Sequence, residues 1–275
     1  MVGDNRLASR ISRRILAIYA WAVIGFLLLP IFIVIPMSFN DAVLFEVIPS
    51  NPSVKQYARL FASPDWLEVL FRSARIAVLA MAAATVLGTL AALGIAALRA
   101  RARALIEAAF IAPQIVPSVV IATAAYYVFA WLGMIGTTPA IVIAHSLLAL
   151  PFVVVMVGSR LQSLSPELAQ ASASLGANAT RTFFHVTLPQ LKVAIIGGAL
   201  LAFHVSFDEV VLALFLSGAR NKTLPVKLWD SILFEVSPLL PAISTVVLII
   251  PLLALAPIAL WRLIARAEKR PPNTV

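Results

Sequence analysis

The sequence predicts an all-helical integral membrane protein that crosses the bilayer six times. Of its 275 residues, 61% are hydrophobic and only 12% carry a charge, and the mean hydropathy is +0.99. These values exclude an ordinary water-soluble domain. At about 20 residues per spanning helix, the chain has room for about six spans with their loops. We therefore expect a single membrane domain over 1–275, with little left for a separate soluble domain.

Six apolar runs are each long enough to cross the hydrocarbon core. In chain order, the predicted spans are 15–37, 73–98, 105–131, 139–158, 191–216 and 239–264. The first run shows no small-residue cleavage site, so we interpret it as an uncleaved signal anchor. An external segment, 38–72, follows it and is expected to contain a short amphipathic helix on the membrane surface. The loop 159–190 separates the fourth span from the fifth.

The distribution of basic residues indicates the orientation in the membrane. With both termini in the cytoplasm, most of the 21 basic residues fall in inner segments: Arg6, Arg10, Arg13, Arg14, Arg99, Arg101, Arg103, Arg160, Arg181, Lys192, Arg262, Arg266, Lys269 and Arg270. The others fall outside: Lys55, Arg59, Arg72, Arg75, Arg220, Lys222 and Lys227. Because cytoplasmic loops are enriched in lysine and arginine, both termini are predicted to be cytoplasmic. Topology thus explains the net charge of +9, and no nucleic acid partner is expected.

Small residues and prolines indicate how the spans pack. Small residues recur every four positions in two spans: Ala80, Ala84, Gly88, Ala92 and Ala96 in the second, and Ala194, Gly198, Ala202 and Ser206 in the fifth. Such stripes let helix backbones approach closely, either inside one bundle, which we favour, or at a subunit interface. The prolines within spans are interpreted as static kinks rather than hinges. They are Pro30, Pro113, Pro117, Pro151, Pro251 and Pro257.

No catalytic constellation is recognisable. The chain has no cysteine and only three histidines, His145, His185 and His204, and none lies in an HExxH pattern. This excludes cysteine-based metal sites and the common hydrolase motifs. We therefore expect no catalytic residue, no metal ion and no cofactor bound by this chain. His145, isolated in the fourth span, is interpreted as a packing residue.

The loop between the fourth and fifth spans predicts the first arm of a helical hairpin. Ser165 can cap a helix that has Pro166 and Glu167 in its first turn. Gly176 supplies the left-handed residue that ends this helix. Its apolar face is formed by Leu168, Ala171, Ser172 and Leu175.

The second arm of the hairpin is shorter. Asn178 can cap it, Arg181 and His185 lie one turn apart, and Leu188-Pro189 is expected to end it before the fifth span begins. A hairpin this small has no core of its own. It therefore needs a partner to cover its apolar face, or it lies on the bilayer.

The residues of the hairpin resemble a known motif. They read Gln170-Ala171-Ser172, three residues, Gly176, nine residues, Val186, Thr187 and Leu188-Pro189. This is similar to the EAA loop in permease subunits of type I ATP-binding-cassette (ABC) importers, whose pattern is Glu-Ala-Ala, three residues, Gly, nine residues, Ile, any residue, Leu-Pro. The spacing is kept, whereas Gln170, Ser172 and Val186 depart from the pattern. Glu167, one turn before Gln170, can supply the missing carboxylate.

The resemblance extends over about 19–266, with the permease core at 73–264. It implies that the loop contains the helix that couples the permease to a cytoplasmic ATPase subunit. The residues implied in coupling are Glu167, Gln170, Ala171, Ser172, Gly176, Arg181, Leu188 and Pro189. It also implies a bacterial inner-membrane complex with a homologous second permease, two ATPase subunits that use ATP and magnesium, and a periplasmic binding protein. The chain itself contains no GxxxxGK[ST] phosphate loop, so the energy has to come from such a partner.

A second resemblance narrows the range of expected substrates. The segments Ser206-Phe207-Asp208-Glu209, Leu214-Phe215-Leu216 and Thr223-Leu224-Pro225-Val226 are similar to the second permease of the spermidine/putrescine branch, which implies a polyamine. Acids within the membrane are costly and usually face a cavity or a partner. The candidate substrate path comprises His204, Asp208 and Glu209. A local hydrogen bond from His204 to Asp208, one turn apart, is the alternative.

Other substrates and mechanisms stay open on the sequence. Permeases of neighbouring branches, for opines, 4-aminobutyrate, aminoethylphosphonate or ferric iron, look alike. Six spans with buried acids are also compatible with a secondary carrier or a channel, although the spacing of the coupling loop argues against both.

The topology can be tested with reporter fusions. A reporter fused at Val275 should report the cytoplasm, and one inserted near Pro64 should report the exterior, because of the bias in basic residues. Alkaline phosphatase and green fluorescent protein fusions measure the two locations. An exterior signal at Val275 would overturn the six-span topology.

Overall fold

The computed structural model describes residues 4–41, 46–234, 237–251 and 253, with side chains from residue 13 onward. These residues are almost entirely helical, and the β structure among them is the isolated bridge between Asn40 and Pro52. They divide into two compact units, one comprising 4–63 with 237–253 and the other 64–234. The fold class predicted from hydropathy, an all-helical chain, is confirmed for the described part of the protein.

The helices are, in chain order, α1 (Asp4–Met37), α2 (Lys55–Ala62), α3 (Pro64–Ala96), α4 (Ala100–Ile111), α5 (Ser118–Trp131), α6 (Thr138–Gln162), α7 (Pro166–Ser174), α8 (Ala179–Thr182), α9 (Leu188–Phe207), α10 (Val211–Leu216), α11 (Leu224–Phe234) and α12 (Leu240–Pro251). A 3₁₀ turn, Ala112–Gln114, follows α4, and a π-helical turn, Phe183–Thr187, joins α8 to α9.

Among the described residues, fewer than six helices are long and apolar enough to span a bilayer. Four are long and apolar enough: Arg13–Met37 within α1, α3, α6 and the continuous helix Ala179–Phe207. The bent pair α4 and α5 makes a fifth if it counts as one span. The predicted sixth span, 239–264, begins with α12, and its positions 252 and 254–264, including Pro257, lie outside the described residues.

In the first unit, a short connection folds beyond the end of α1. The hydroxyls of Ser38 and Tyr57 lie 2.7 Å apart, and Lys55 pairs with Asp41 at 2.9 Å. Helix α2 buries Leu60 and exposes Phe61. A short amphipathic helix is thus present in the predicted external segment.

Helix α3 begins earlier than its predicted span. It starts at Pro64 rather than at residue 73, so 64–72 of the predicted external segment are part of the same helix as the span. The polar residues of 64–72 are compatible with this helix, because Glu68 and Arg72 form an ion pair one turn apart. With 33 residues the helix is about 50 Å long, well beyond the hydrocarbon thickness of about 30 Å.

The predicted third span, 105–131, is not a continuous helix. Helices α4 and α5 meet at 93°. Pro113 lies in the 3₁₀ turn and Pro117 precedes α5, so two amides that would continue the helical ladder are missing within five residues. By contrast, α6 runs through Pro151 without interruption. Closely spaced prolines therefore produce a break here, where a kink was expected.

Close packing of α3, α6 and α9 forms the core of the second unit. A Cβ atom at Gly88 of α3 would lie 2.7 Å from the Cβ of Val153 in α6. A Cβ atom at Gly198 of α9 would lie 3.2 Å from the Cα of the same valine. Both small-residue stripes thus pack inside one bundle, as favoured from the sequence. A neighbouring cluster of buried side chains connects α3, α5, α6 and α10.

Helix α11 returns to the first turns of α3. The Leu224 amide donates to the Ser73 hydroxyl at 2.6 Å, and the Lys227 ammonium lies 4.4 Å from the centre of the Trp66 ring. Burial lowers the pKa of Lys227, and the nearby Asp65 and Glu68 oppose that shift. These contacts tie the segment after α10 to α3.

We expect Gly88→Ala to destabilise the protein by about 1–3 kcal/mol, because the new methyl group has no space between α3 and α6. Gly94→Ala, on the same helix, is the matched control, since a Cβ atom there meets nothing within 4 Å. Thermal unfolding of the purified protein in detergent measures both. Equal stability of the two variants would contradict the packing of α3 against α6 through Gly88.

Candidate functional site

The first arm of the hairpin has the predicted local structure. The Ser165 hydroxyl accepts a hydrogen bond from the Glu167 amide at 3.3 Å, and Pro166 occupies the first turn of α7. Glu167 lies at the positive end of the helix, where a carboxylate is favoured. The first turn of the helix therefore carries the local signals that favour a start at this position.

The turn of the hairpin depends on Gly176, which has φ +81°. The Ala177 amide donates to the Ser172 carbonyl at 3.1 Å, and the Gly176 amide donates to the Ala173 carbonyl at 2.9 Å. This pair of bonds is the Schellman pattern that ends a helix with a left-handed residue. A side chain at Gly176 would meet no atom within 4 Å, so only the backbone conformation requires glycine here.

The second arm continues directly into the fifth span. Asn178 caps α8 by accepting from the Arg181 amide at 2.8 Å, and the hydroxyls of Ser172 and Thr182 join the two arms at 3.0 Å. The chain then passes through the π turn into α9 without leaving helical structure. The expectation that Leu188-Pro189 ends the second arm is wrong.

The π turn explains how the helix passes a proline. In an α-helix, Pro189 would clash with the carbonyl four residues earlier and remove a hydrogen bond. Here the Leu188 amide donates instead to Phe183, five residues back. Two side chains bond to backbone carbonyls in this region. His185 Nδ1 donates to the Arg181 carbonyl at 3.0 Å, and the side-chain amide of Gln190 donates to the Val186 carbonyl at 2.9 Å.

Most of the residues implied in coupling lie on the exposed surface of the hairpin. They are Glu167, Gln170, Ala171, Gly176 and Arg181, with Ser172 half-buried at the contact between the arms. The apolar side chains Leu168 and Leu175 are 51% and 89% exposed. Leu188 and Pro189 lie apart from this surface, in the first turn of α9. The hairpin thus presents an uncovered apolar face beside polar groups.

Polar contacts connect the base of the hairpin to the helices of the second unit. Arg160 at the end of α6 donates to the Gln190 carbonyl of α9 at 3.1 Å. Gln162 donates to the Glu107 carboxylate of α4 at 3.2 Å. Sequence spacing did not reveal these contacts, since they join residues that are distant in the chain.

The predicted fifth span, 191–216, is broken where its two acids lie. Helix α9 ends at Phe207 and α10 begins at Val211, and we call 208–210 the acidic break. The Glu209 carboxylate accepts a hydrogen bond from the Leu212 amide at 2.9 Å and so caps α10. Among the described residues, the Asp208 carboxylate has neither a hydrogen bond nor an ion pair, and it is exposed on the surface of this chain.

His204 does not pair with Asp208 through its side chain. The bond between the two residues runs from the Asp208 amide to the His204 carbonyl, at 3.1 Å. The His204 ring is exposed on the same face as Asp208. The local His–Asp hydrogen bond considered from the sequence is absent from the described structure.

The buried polar contact near the acidic break involves the fourth-span histidine instead. His145 is 1% exposed, and its Nδ1 lies 2.9 Å from the Ser206 hydroxyl and 3.1 Å from the Ser206 carbonyl. His145 is buried in the core, as the packing interpretation expects. Its contact with the last turn of α9 is additional information that spacing could not give.

Two curated relatives are similar to this chain over most of their length. The putrescine transport system permease protein PotI of Escherichia coli strain K12 is 33% identical over 253 residues, covering 89% of each chain. The spermidine/putrescine transport system permease protein PotC of the same strain is 30% identical over 253 residues, covering 92% of this chain and 94% of PotC.

A solved structure has a similar fold. It is the crystal structure of a bacterial alginate ABC transporter in complex with its alginate pentasaccharide-bound periplasmic protein, which matches with a TM-score of 0.66 and 16% identity. The match covers 90% of this chain and 96% of the other. At this level of identity, the likeness concerns the fold alone.

The model of a membrane-protein family matches residues 84–269, which is most of the chain. This range includes α6, the hairpin, α9 and the acidic break. Together with the relatives above, the match establishes the family: the chain belongs to the binding-protein-dependent transport system inner membrane components.

Proposed function

We propose that this chain is a permease subunit of an ABC importer that moves a polyamine, such as putrescine or spermidine, into the bacterial cell by alternating access. The observation that carries this proposal is the similarity, over nearly the full length, to the polyamine permeases PotI and PotC. A family defined by dependence on a binding protein favours an importer over a channel or a secondary carrier.

The hairpin is proposed to couple the permease to a cytoplasmic ATPase subunit. Its exposed apolar face, with Leu168 and Leu175, needs a protein surface to cover it. Its spacing is that of the EAA loop, and this chain has no phosphate loop of its own. ATP and magnesium are accordingly assigned to the partner, and Gln170, in place of the family's glutamate, makes a neutral polar contact there.

The remaining partners follow from the same proposal. They are a homologous second permease, two ATPase subunits and a periplasmic binding protein, a kind of partner present in the structure of the alginate transporter. The hairpin would face the cytoplasm, as would both termini. Six spans are proposed for the complete chain, the sixth being the one that begins with α12.

The acidic break is proposed to line the polyamine path. A charged carboxylate exposed within a membrane-spanning segment does not face lipid, so it faces a cavity or another chain. Asp208 is exposed in this way, whereas the Glu209 carboxylate is engaged with the Leu212 amide. We therefore place the cation-attracting charge on Asp208, with His204 beside it.

The membrane potential supports inward movement of such a substrate. An inside-negative potential favours entry by about 2.3 kcal/mol per positive charge per 100 mV. ATP on the partner then chiefly imposes direction and prevents return of the polyamine. The role of the carboxylate is to lower the barrier for a cation within the low-dielectric part of the path.

We expect Gly176→Val to uncouple transport while the protein stays in the membrane. A β-branched residue at φ +81° costs about 1–2 kcal/mol, which reduces the population of the correct hairpin about 5–30-fold. Polyamine uptake and the stimulated ATPase activity of the co-expressed complex measure the effect.

Gly176→Asn is the matched control, because asparagine tolerates the left-handed conformation and the site has free space. It should retain most of the uptake. If Gly176→Val binds the ATPase subunit and drives uptake like the unmodified protein, the hairpin is not the coupling element.

We expect Asp208→Asn to lower polyamine uptake by about one to two decades, equivalent to about 1–3 kcal/mol of barrier, with membrane abundance unchanged. Radiolabelled putrescine uptake, normalised to the amount of protein in the membrane, is the measurement. The asparagine keeps the size of the side chain and removes only its charge.

Glu209→Gln is the control for charge at the neighbouring position. Its amide oxygen can still accept from the Leu212 amide, so α10 stays capped. It should affect uptake much less than Asp208→Asn. Full uptake by a well-expressed Asp208→Asn protein eliminates the proposed cation path at this residue.

A further inference from the structure

We infer that His145 is a positioning residue that holds the acidic break against α6. The inference rests on the proposed polyamine path, since it gives the break its function, but its geometry is independent of the substrate. His145 and Ser206 are both buried, 1% and 4% exposed, where α6 meets α9. They are 61 residues apart in the chain.

The end of α9 leaves several backbone carbonyls without a helical donor, and the Ser206 carbonyl is one of them. In a continuous helix, the Val210 amide would donate to the Ser206 carbonyl, but α9 ends at Phe207. Among the hydrogen bonds of the described residues, no backbone amide reaches this carbonyl. An unpaired carbonyl costs several kcal/mol in a medium without water.

The His145 ring replaces the missing donor. Its Nδ1 lies 3.1 Å from the Ser206 carbonyl, which can only accept, and we therefore assign the proton of the ring to Nδ1. The Ser206 hydroxyl, 2.9 Å from the same nitrogen, shares the contact. The last turn of α9 is thereby bonded to a side chain of α6 and not to its own continuation.

One backbone group at each end of the break is therefore bonded to a side chain, and the two side chains differ. His145 bonds to the end of α9, and Glu209 caps the start of α10 at its Leu212 amide. Asp208 lies between these two bonds and has no side-chain bond of its own among the described residues. The position of Asp208 is consequently set by the backbone that His145 and Glu209 hold in place.

Three variants distinguish the effect of the hydrogen-bond donor from the effect of the size of the His145 side chain. His145→Leu removes the donor and keeps an apolar side chain of moderate size. His145→Asn keeps an N–H group attached to Cγ, as Nδ1 is in histidine. Ser206→Ala removes the hydroxyl and leaves the carbonyl, so it separates the two contacts of Nδ1, and we expect it to cause a smaller loss than His145→Leu.

The functional test measures putrescine uptake per molecule of permease in the complete complex. We expect His145→Leu to reduce the maximal uptake rate about tenfold or more, and His145→Asn to restore most of it. Adding Asp208→Asn to His145→Leu should cause little further loss, because both act on one carboxylate. Losses that multiply in the double variant would overturn the inference.

A spectroscopic test does not depend on the substrate. Because the chain has no cysteine, Val210→Cys introduces a single site for a nitroxide label beside the acids, and Leu201→Cys within α9 is the control. The mobility of the label at position 210 should increase with His145→Leu and stay low with His145→Asn, while the control label stays unchanged. If His145→Leu does not accumulate in the membrane, His145→Gln, whose donor is displaced by one bond, provides the same comparison.

The two tests distinguish the possible failures. If Asp208→Asn transports normally while His145→Leu still increases the mobility of the label at position 210, the proposed cation path is wrong and the positioning role stands. If the label at position 210 has the same mobility in every His145 variant, the positioning role is wrong, whatever the uptake shows.

Discussion

Inside a bilayer every backbone amide and carbonyl has to find its partner within the protein, and the irregular parts of this chain are arranged around that requirement. At the acidic break, the buried His145 ring bonds to the Ser206 carbonyl in the last turn of α9, and Glu209 caps the start of α10. At the π turn, His185 and Gln190 bond to the carbonyls of the widened helix. At both of these departures from a regular helix, side chains thus bond to backbone groups, and these side chains lie at the sites to which we assign function.

Close packing of α3, α6 and α9 holds the irregular parts of the chain in place. Lipid tails are as apolar as leucine, so helices in a membrane associate through close contact and not through the hydrophobic effect. Gly88 and Gly198 allow α3 and α9 to approach the same residue, Val153 of α6. Because α6 also carries His145, the helix at the centre of the packing is the one that holds the acidic break.

The sequence predicted those features that depend on local chemistry. Ser165 and Asn178 cap their helices and Gly176 makes the turn, because a cap or a left-handed residue acts within a few positions. Hydropathy predicted the apolar helices but not the effect of each proline: Pro151 lies inside a continuous helix, whereas Pro113 lies in a break. The outcome depends on whether neighbouring groups satisfy the freed carbonyls, and that is a property of the tertiary structure. For the same reason, spacing could not reveal the contact between His145 and Ser206.

One continuous element joins the two regions to which we assign function. From Ala179 to Phe207 the chain is helical without interruption, and 29 residues correspond to about 43 Å. The hairpin contacts one end of this element through the bond between Ser172 and Thr182, and the acidic break begins at the other end. Had Pro189 ended the second arm, a flexible joint would separate the two regions. Because the π turn carries the helix past the proline, the two regions lie on one helix with no loop between them. The contact between His145 and Ser206 lies at the end of this helix that is far from the hairpin.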